Sequence, residues 1–228
     1  MISVRKSSER GRGDYGWLQT RYSFSFADYY DPQQMGVSAL RVINDDMVAP
    51  GMGFDTHPHR DMEIITYMLQ GLIEHRDTMG FHTTLKAGEV QVMSAGTGIE
   101  HSEHNPSPTT PLQLLQIWIQ PDRVGAPPRY DQRDFSSSEG ITLLVSKDGR
   151  QGSLPIRQDA QIYQLRLPIG QQRLPLETGR SGYLHLISGT LTVDGSHLTP
   201  GDGATVQGLA EVHMAITSPI EALWFDLP

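Results

Sequence analysis

One layout occurs twice along this chain, and that duplication constrains the fold more tightly than any single segment does. In the first half, Ile65-Thr66-Tyr67-Met68-Leu69-Gln70-Gly71-Leu72-Ile73-Glu74 reads as a strand, a glycine turn and a returning strand. Tyr183-Leu184-His185-Leu186-Ile187-Ser188-Gly189-Thr190-Leu191-Thr192 repeats it in the second half. Downstream, Leu85-Lys86-Ala87-Gly88-Glu89-Val90 is matched by Leu198-Thr199-Pro200-Gly201-Asp202-Gly203, again a glycine turn leading into a strand. The halves read as tandem copies of one β-barrel.

The rest of the chain keeps the same rhythm, with short apolar runs separated by Gly, Pro, Asn and Asp and few helix signals. Candidate strands span 39–43, 62–69, 72–76, 89–93, 112–120, 141–145, 161–167, 183–187, 190–193, 204–206, 212–217 and 221–225. So many short strands in 228 residues indicate an all-β fold of sandwiches or barrels. The tract from Arg123 to Ser138 contains Gly125, Pro127, Pro128 and a serine run, which is linker composition. The expected domains are therefore 1–130 and 131–228.

Two i, i+2 pairs carry the chemistry. His57 and His59 flank Pro58, and on an extended strand their side chains leave the same face, where two imidazoles can converge on one ion. His101 and Glu103 repeat that spacing inside a glycine-led loop. His-Pro-His alone could be an ordinary surface loop; a second pair about one hairpin downstream makes a metal site the better reading. The chain has no cysteine, so any transition metal must be held by His and carboxylate. Three neutral imidazoles and one carboxylate suit Fe(II), Mn, Co, Ni, Cu or Zn and leave coordination positions for an anionic oxygen donor and O2. Glu103 could also act as a base on an acidic phenol or enol. A purely structural zinc site is the weaker alternative, because a carboxylate and an open position are more typical of catalytic zinc.

The second copy lacks this constellation. Aligned on the paired glycines, Pro175 and Glu177 fall opposite His57 and His59, and Met214 opposite His101. His185, His197 and His213 have no partner at a ligand spacing and read as packing or surface residues. A formal charge of -8 with no basic cluster argues against a nucleic-acid or anionic membrane partner. No segment approaches a membrane-spanning length, and the charged start of the chain has no apolar run behind it, so a soluble cytoplasmic protein is expected.

At these residues the chain resembles the pirins, bicupins of the cupin superfamily. Gly53, His57, His59, Glu63 and Gly71 look like the first cupin motif; Gly88, Gly96, His101 and Asn105 look like the second. More particular to pirins are Thr56-His57-Pro58-His59-Arg60-Asp61-Met62-Glu63, the loop from Ser94-Ala95-Gly96-Thr97-Gly98 to His101-Ser102-Glu103, and the upstream Ser23 to Pro32. The resemblance implies two tandem jelly-roll barrels, the second degenerate, and one divalent metal on His57, His59, His101 and Glu103, with Fe(II) the first candidate. The general cupin pattern would nominate Glu63 as the carboxylate. Glu103 is preferred because it shares its strand face with His101, whereas Glu63 suits an outer acceptor orienting an imidazole.

Bacterial members of the quercetin 2,3-dioxygenase kind are the most similar. They imply a flavonol bound through its 3-oxygen, delivery of its carbanion character to O2, and opening of the heterocycle with loss of carbon monoxide. Other pirins act as transcriptional or metabolic cofactors, so a metal-dependent interaction module with a protein partner is the alternative. Phe54, Met62, Met93, Leu115, Ile117 and Trp118 are candidate pocket residues, though for any one of them core is the preferred reading. Phe24, Phe26, Tyr29 and Tyr30 either cover the barrel mouth or staple the N-terminal segment to its outside, the second being preferred. Tandem barrels in one chain could satisfy internally the interface that single barrels bury by dimerising, so a monomer is expected.

Overall fold

A computed structural model describes all residues, Met1 to Pro228. Its strands are β1 (Ile2–Arg5), β2 (Gly11–Asp14), β3 (Leu18–Tyr22), β4 (Leu40–Val48), β5 (Gly53–Gln70), β6 (Leu72–Asp77), β7 (His82–Lys86), β8 (Glu89–His104) and β9 (Leu112–Ile119). They continue with β10 (Arg129–Asp134), β11 (Gly140–Ser146), β12 (Leu154–Pro155), β13 (Gln161–Leu167), β14 (Gly170–Pro175), β15 (Ser181–Val193), β16 (Ser196–Leu198), β17 (Gly203–Gln207) and β18 (Glu211–Leu227). Two short 3-10 turns are the only helical elements, and no helix is long and apolar enough to cross a membrane. The all-β expectation holds.

The strands form two nine-stranded sheets. The first runs β2-β3-β4-β9-β5-β8-β6-β7, with β10 added to β8; the second runs β1-β17-β15-β18-β13-β11-β12, with β14 on β18 and β16 on β15. Chain order and sheet membership do not divide at one point. β1 pairs with β17 in the second sheet, and β10, within the tract of linker composition, pairs with β8 in the first. The expected division at residues 130 and 131 thus falls inside a strand. β2 (GRGD) and β10 (RYDQRD) were invisible to apolar periodicity because they are polar strands whose pairing is set by their neighbours.

Several expected short strands are segments of long ones. β5 has 18 residues, β8 16 and β18 17, and the extra length of β5 and β8 is what carries the histidines. The glycine turn expected at Gly189 is also corrected. β15 continues through it by register shifts between Leu186 and Leu191. Gly189 has φ +82°, and a Cβ there would lie 2.1 Å from the carbonyl oxygen of Pro219, so only glycine permits this bulge. Gly71 (φ +79°), by contrast, separates β5 from β6, which pairs with β7 and β8 and not with β5.

Three apolar clusters fill the barrels, including 16 buried residues inside the second. The largest cluster, of 23 buried residues, joins the two halves: Ile65, Tyr67, Val92 and Ile117 pack with Leu144, Ile162, Tyr183 and Phe225. Across the same junction the Tyr67 hydroxyl donates to Glu221 and accepts from Gln164.

Candidate metal centre

β5 and β8 lie antiparallel with His57 opposite His101, which brings the two ligand pairs onto adjacent strands. Register shifts on either side of His57 and His59, and a left-handed Asp61 (φ 63°), isolate this segment from the apolar remainder of β5. The Asp61 carboxylate accepts from the Gly125 amide at 2.7 Å and holds the bulge from outside. Across the strand, Gly96 has φ +50°, and a Cβ there would stand 2.0 Å from the Ala126 carbonyl oxygen. The same carbonyl accepts from Thr97 N at 2.8 Å, so the loop before His101 is pinned to the 123–128 segment. Asn105, at the end of the motif, ties the following loop through Thr110 O (2.9 Å) and Ser107 N (3.0 Å).

The structure gathers His57, His59 and His101, whose donor atoms all lie within 4.8 Å of one another. The Nε2 atoms of His59 and His101 face each other at 3.0 Å, and the ring centroids of the three imidazoles are 4.5–4.9 Å apart. Burial, then the neighbouring imidazoles, push His59 down to about 4 and His101 down to about 3. Both rings are therefore neutral at neutral pH, with lone pairs available to a cation.

A second cluster lies behind the first and consists of His75, His101 and Glu103, all buried. His75, on β6, was missed in the sequence, although His75 and Asp77 show the same i, i+2 spacing as the ligand pairs. Its Nε2 meets Asp77 Oδ2 at 3.0 Å, both side chains being fully buried, and its Nδ1 faces His101 Nδ1 at 3.5 Å. Asp77 Oδ1 accepts the amides of Met79 (2.9 Å) and Phe81 (3.1 Å). The tautomers follow from these partners. Asp77, which also accepts two backbone amides, takes the proton side of His75 Nε2, so His75 Nδ1 is an acceptor, His101 Nδ1 its donor, and His101 Nε2 a free lone pair. That free lone pair is the atom aimed at His59, and a divalent transition metal fits the three-imidazole donor set.

Glu103 groups with His75 and His101 and not with the His57–His59 pair, so the four predicted ligands do not form one cluster. Gln91 Nε2 donates to its Oε1 at 2.7 Å and Gln116 Nε2 to its Oε2 at 3.0 Å, with the Thr66 hydroxyl 3.4 Å away. Gln91 is itself oriented by the Tyr130 hydroxyl, which donates to its Oε1 at 3.0 Å. Glu63 belongs to neither cluster. Fully buried, it accepts from the Ser94 hydroxyl at 2.6 Å, and burial raises its pKa against the pull of Ser94 and of Arg157.

His57, His59 and Glu103 line a cavity of about 630 Å³. Of the six candidate pocket residues, Phe54 and Trp118 line it; Met93, Leu115 and Ile117 are buried in apolar clusters, against one of which Met62 packs. Trp17 and Phe26 complete the aromatic wall, Phe26 lying edge-on to Trp118 at 5.3 Å. The upstream aromatics thus split between roles. Phe26 reaches the mouth, Phe24 packs on Tyr183 in the inter-barrel core, Tyr29 stacks on Tyr22, and Tyr30 is 72% exposed. The preference for an outside staple fails for Phe26, because the turn after β3 folds back over the barrel opening.

No group of three potential ligands assembles in the second barrel. Met214 is buried in its apolar core, His213 meets only Glu211 at 2.8 Å, and His185 is buried and pushed down to about 3 by desolvation.

The Pirin family model matches residues 3–119, and that of the quercetinase C-terminal cupin domain matches residues 143–227. The chain is 47% identical to a quercetin 2,3-dioxygenase of Escherichia coli K12, over 100% of this chain and 99% of that one. It is 40% identical to a pirin-like protein of Caulobacter vibrioides, over 99% of each. The crystal structure of YhhW from Escherichia coli superposes with a TM-score of 0.98 at 47% identity, covering 100% of this chain and 98% of that one. A nickel(II) complex of bacterial pirin YhhW gives a TM-score of 0.97 at 46% identity, covering 100% and 99%. The likeness runs through both barrels and along the full length of these relatives, and the chain belongs to the pirin family.

Proposed function

We propose that this protein is a metal-dependent dioxygenase that opens the heterocycle of flavonols such as quercetin with O2 and releases carbon monoxide. The observation that carries the reading is the convergence of neutral imidazoles on the wall of an aromatic-lined cavity of small-molecule size. The likeness to a quercetin 2,3-dioxygenase and to a nickel-bound pirin supports the same chemistry. His57, His59 and His101 hold the divalent metal, with Glu103 as the carboxylate of the set and Fe(II) as the working ion. When bound, such a metal supplies a positive centre for an anionic oxygen donor and a redox route to O2.

The protein's own groups do the rest. His75 and Asp77 hold His101 with its Nε2 unprotonated. Glu103 takes the proton of the substrate's 3-hydroxyl, its position fixed by the amides of Gln91 and Gln116. Trp17, Phe26, Phe54 and Trp118 stack against a planar ligand and displace water from it. The apolar cluster that joins both barrels within one chain supports a monomer.

The test is anaerobic loading with Fe(II), Mn(II), Co(II), Ni(II) or Cu(II), followed by quercetin and O2, with absorbance and carbon monoxide recorded together. Metal-dependent flavonol loss with stoichiometric carbon monoxide is the expected result. Tight metal binding without turnover on any metal would sink the reading and favour the interaction module.

A further inference from the structure

The face of β4 that points into the first barrel carries two polar residues where a barrel interior ordinarily has apolar ones. Asn44 and Asp46 alternate with the outward positions and are flanked on the same face by the buried Val42 and Val48. Each is only 4% exposed, yet both line the cavity that also receives His57 and His59. The hydrogen bonding of Asn44 is incomplete, its Oδ1 being buried without a partner. Burying such groups unpaired is unfavourable, and proteins retain them where something else supplies the partner.

The remaining cavity walls indicate what that partner is. Aromatic rings line the sides, while the amide and carboxyl of β4 supply polar atoms within the same space. A flat aromatic ligand with hydroxyl groups at its edge satisfies both surfaces at once; a purely apolar ring would leave the β4 groups unpaired. We propose that Asn44 and Asp46 form a hydroxyl-recognition patch that makes the cavity select polyhydroxylated aromatic ligands over counterparts lacking those hydroxyls. The assignment of this cavity as the substrate site rests on the oxygenase reading above; the patch itself requires no turnover. The Asn44 side-chain amide, which lines the cavity, pairs with a phenolic hydroxyl. Asp46 is pushed up to about 7 by burial, opposed by the Thr20 hydroxyl and reinforced by Asp45 and Glu103, so its carboxyl can donate to a phenolic oxygen as well as accept. Specificity of this kind is strong because the penalty falls on the wrong ligand, which strands a buried group.

The experiment compares quercetin with 3-hydroxyflavone, which keeps the flavonol 3-hydroxyl and lacks the other ring hydroxyls. Binding to the Ni(II)-loaded protein is followed anaerobically by quenching of tryptophan fluorescence, Trp17 and Trp118 both lining the cavity. Wild type should prefer quercetin by roughly tenfold or more. Asn44→Leu and Asp46→Leu should each bring that ratio towards one, mainly by weakening quercetin, and the isosteric Asp46→Asn should restore part of it. A merely structural effect would weaken both ligands together and leave the ratio unchanged. An unchanged ratio in both leucine variants, or no preference in wild type, would overturn the proposal. Carbon monoxide release by the wild-type protein separates the two ideas. Release with an unchanged ratio removes the patch alone; a patch-dependent ratio without release removes the reaction and leaves the patch.

Discussion

Replacing Asp77 by Asn should impair metal binding from a position that touches no ligand atom. The Asp77 side chain is fully buried and accepts from Met79 N, Phe81 N and His75 Nε2. An amide of the same shape keeps its oxygen against the two backbone N–H groups and presents its NH2 to His75. Donor would then face donor unless His75 shifts its proton to Nδ1. That proton faces His101 Nδ1 at 3.5 Å, so His101 in turn moves its proton to Nε2, the nitrogen aimed at His59 and at the metal. Metal binding has to reverse both tautomers and strand a buried donor pair. Changes of this outer kind cost about 10- to 100-fold in affinity, or about 1.4–2.8 kcal/mol at ~1.4 kcal/mol per tenfold. A chelator-competition titration with Ni(II) reads the affinity, and long-range nitrogen NMR of the metal-free imidazoles reads the tautomers. Affinity within about twofold of wild type, with His101 still protonated on Nδ1, would refute the relay.

Three further outcomes are expected. Glu103→Gln places an amide NH2 against the NH2 of one of its two partners, Gln91 or Gln116, at a position 1% exposed, so chemical denaturation should show a loss of about 1–3 kcal/mol in addition to any loss of rate. A variant as stable as wild type would contradict the hydrogen-bond assignment. Gly96→Ala must place a methyl 2.0 Å from the Ala126 carbonyl; strain of about 1–3 kcal/mol should lower Tm and loosen the loop before His101, and an unchanged Tm would show that the loop relaxes freely. For pH, His59 and His101 sit at about 4 and about 3 against an ordinary 6.5. Between those values the unfolded chain binds protons that the folded chain refuses, so the metal-free protein is fully stabilised above about 6.5 and loses stability as pH falls towards 4. Asp46, raised to about 7, acts with the opposite sign: its contribution is present near pH 4 and lost as pH rises through 7, so Asp46→Asn should gain on wild type between pH 5 and 8. Urea midpoints across both windows check these slopes, and parallel profiles for wild type and Asp46→Asn would remove Asp46 from the account.

Much of this protein is written in local pattern. Glycine turns, strand-period apolar runs and a repeated layout determine an all-β tandem-barrel chain, because side-chain alternation and left-handed turn positions are properties of short segments. The i, i+2 histidines are legible for the same reason: spacing on a strand determines which side chains share a face. What local pattern could not decide is which faces meet. β10 is polar and becomes a strand only because β8 offers it an edge. His75 reaches His101 only because β6 pairs with the far side of β8, and Glu103 is held by the amides of Gln91, on its own strand, and Gln116, on β9. Phe26 and the polar pair on β4 enter the cavity through the closure of the barrel. Sequence determined the strand-rich class, the repeat and the candidate ligands; tertiary structure alone decided the relay, the cavity walls and the setting of Glu103, because those depend on strand pairing between residues that no local propensity couples.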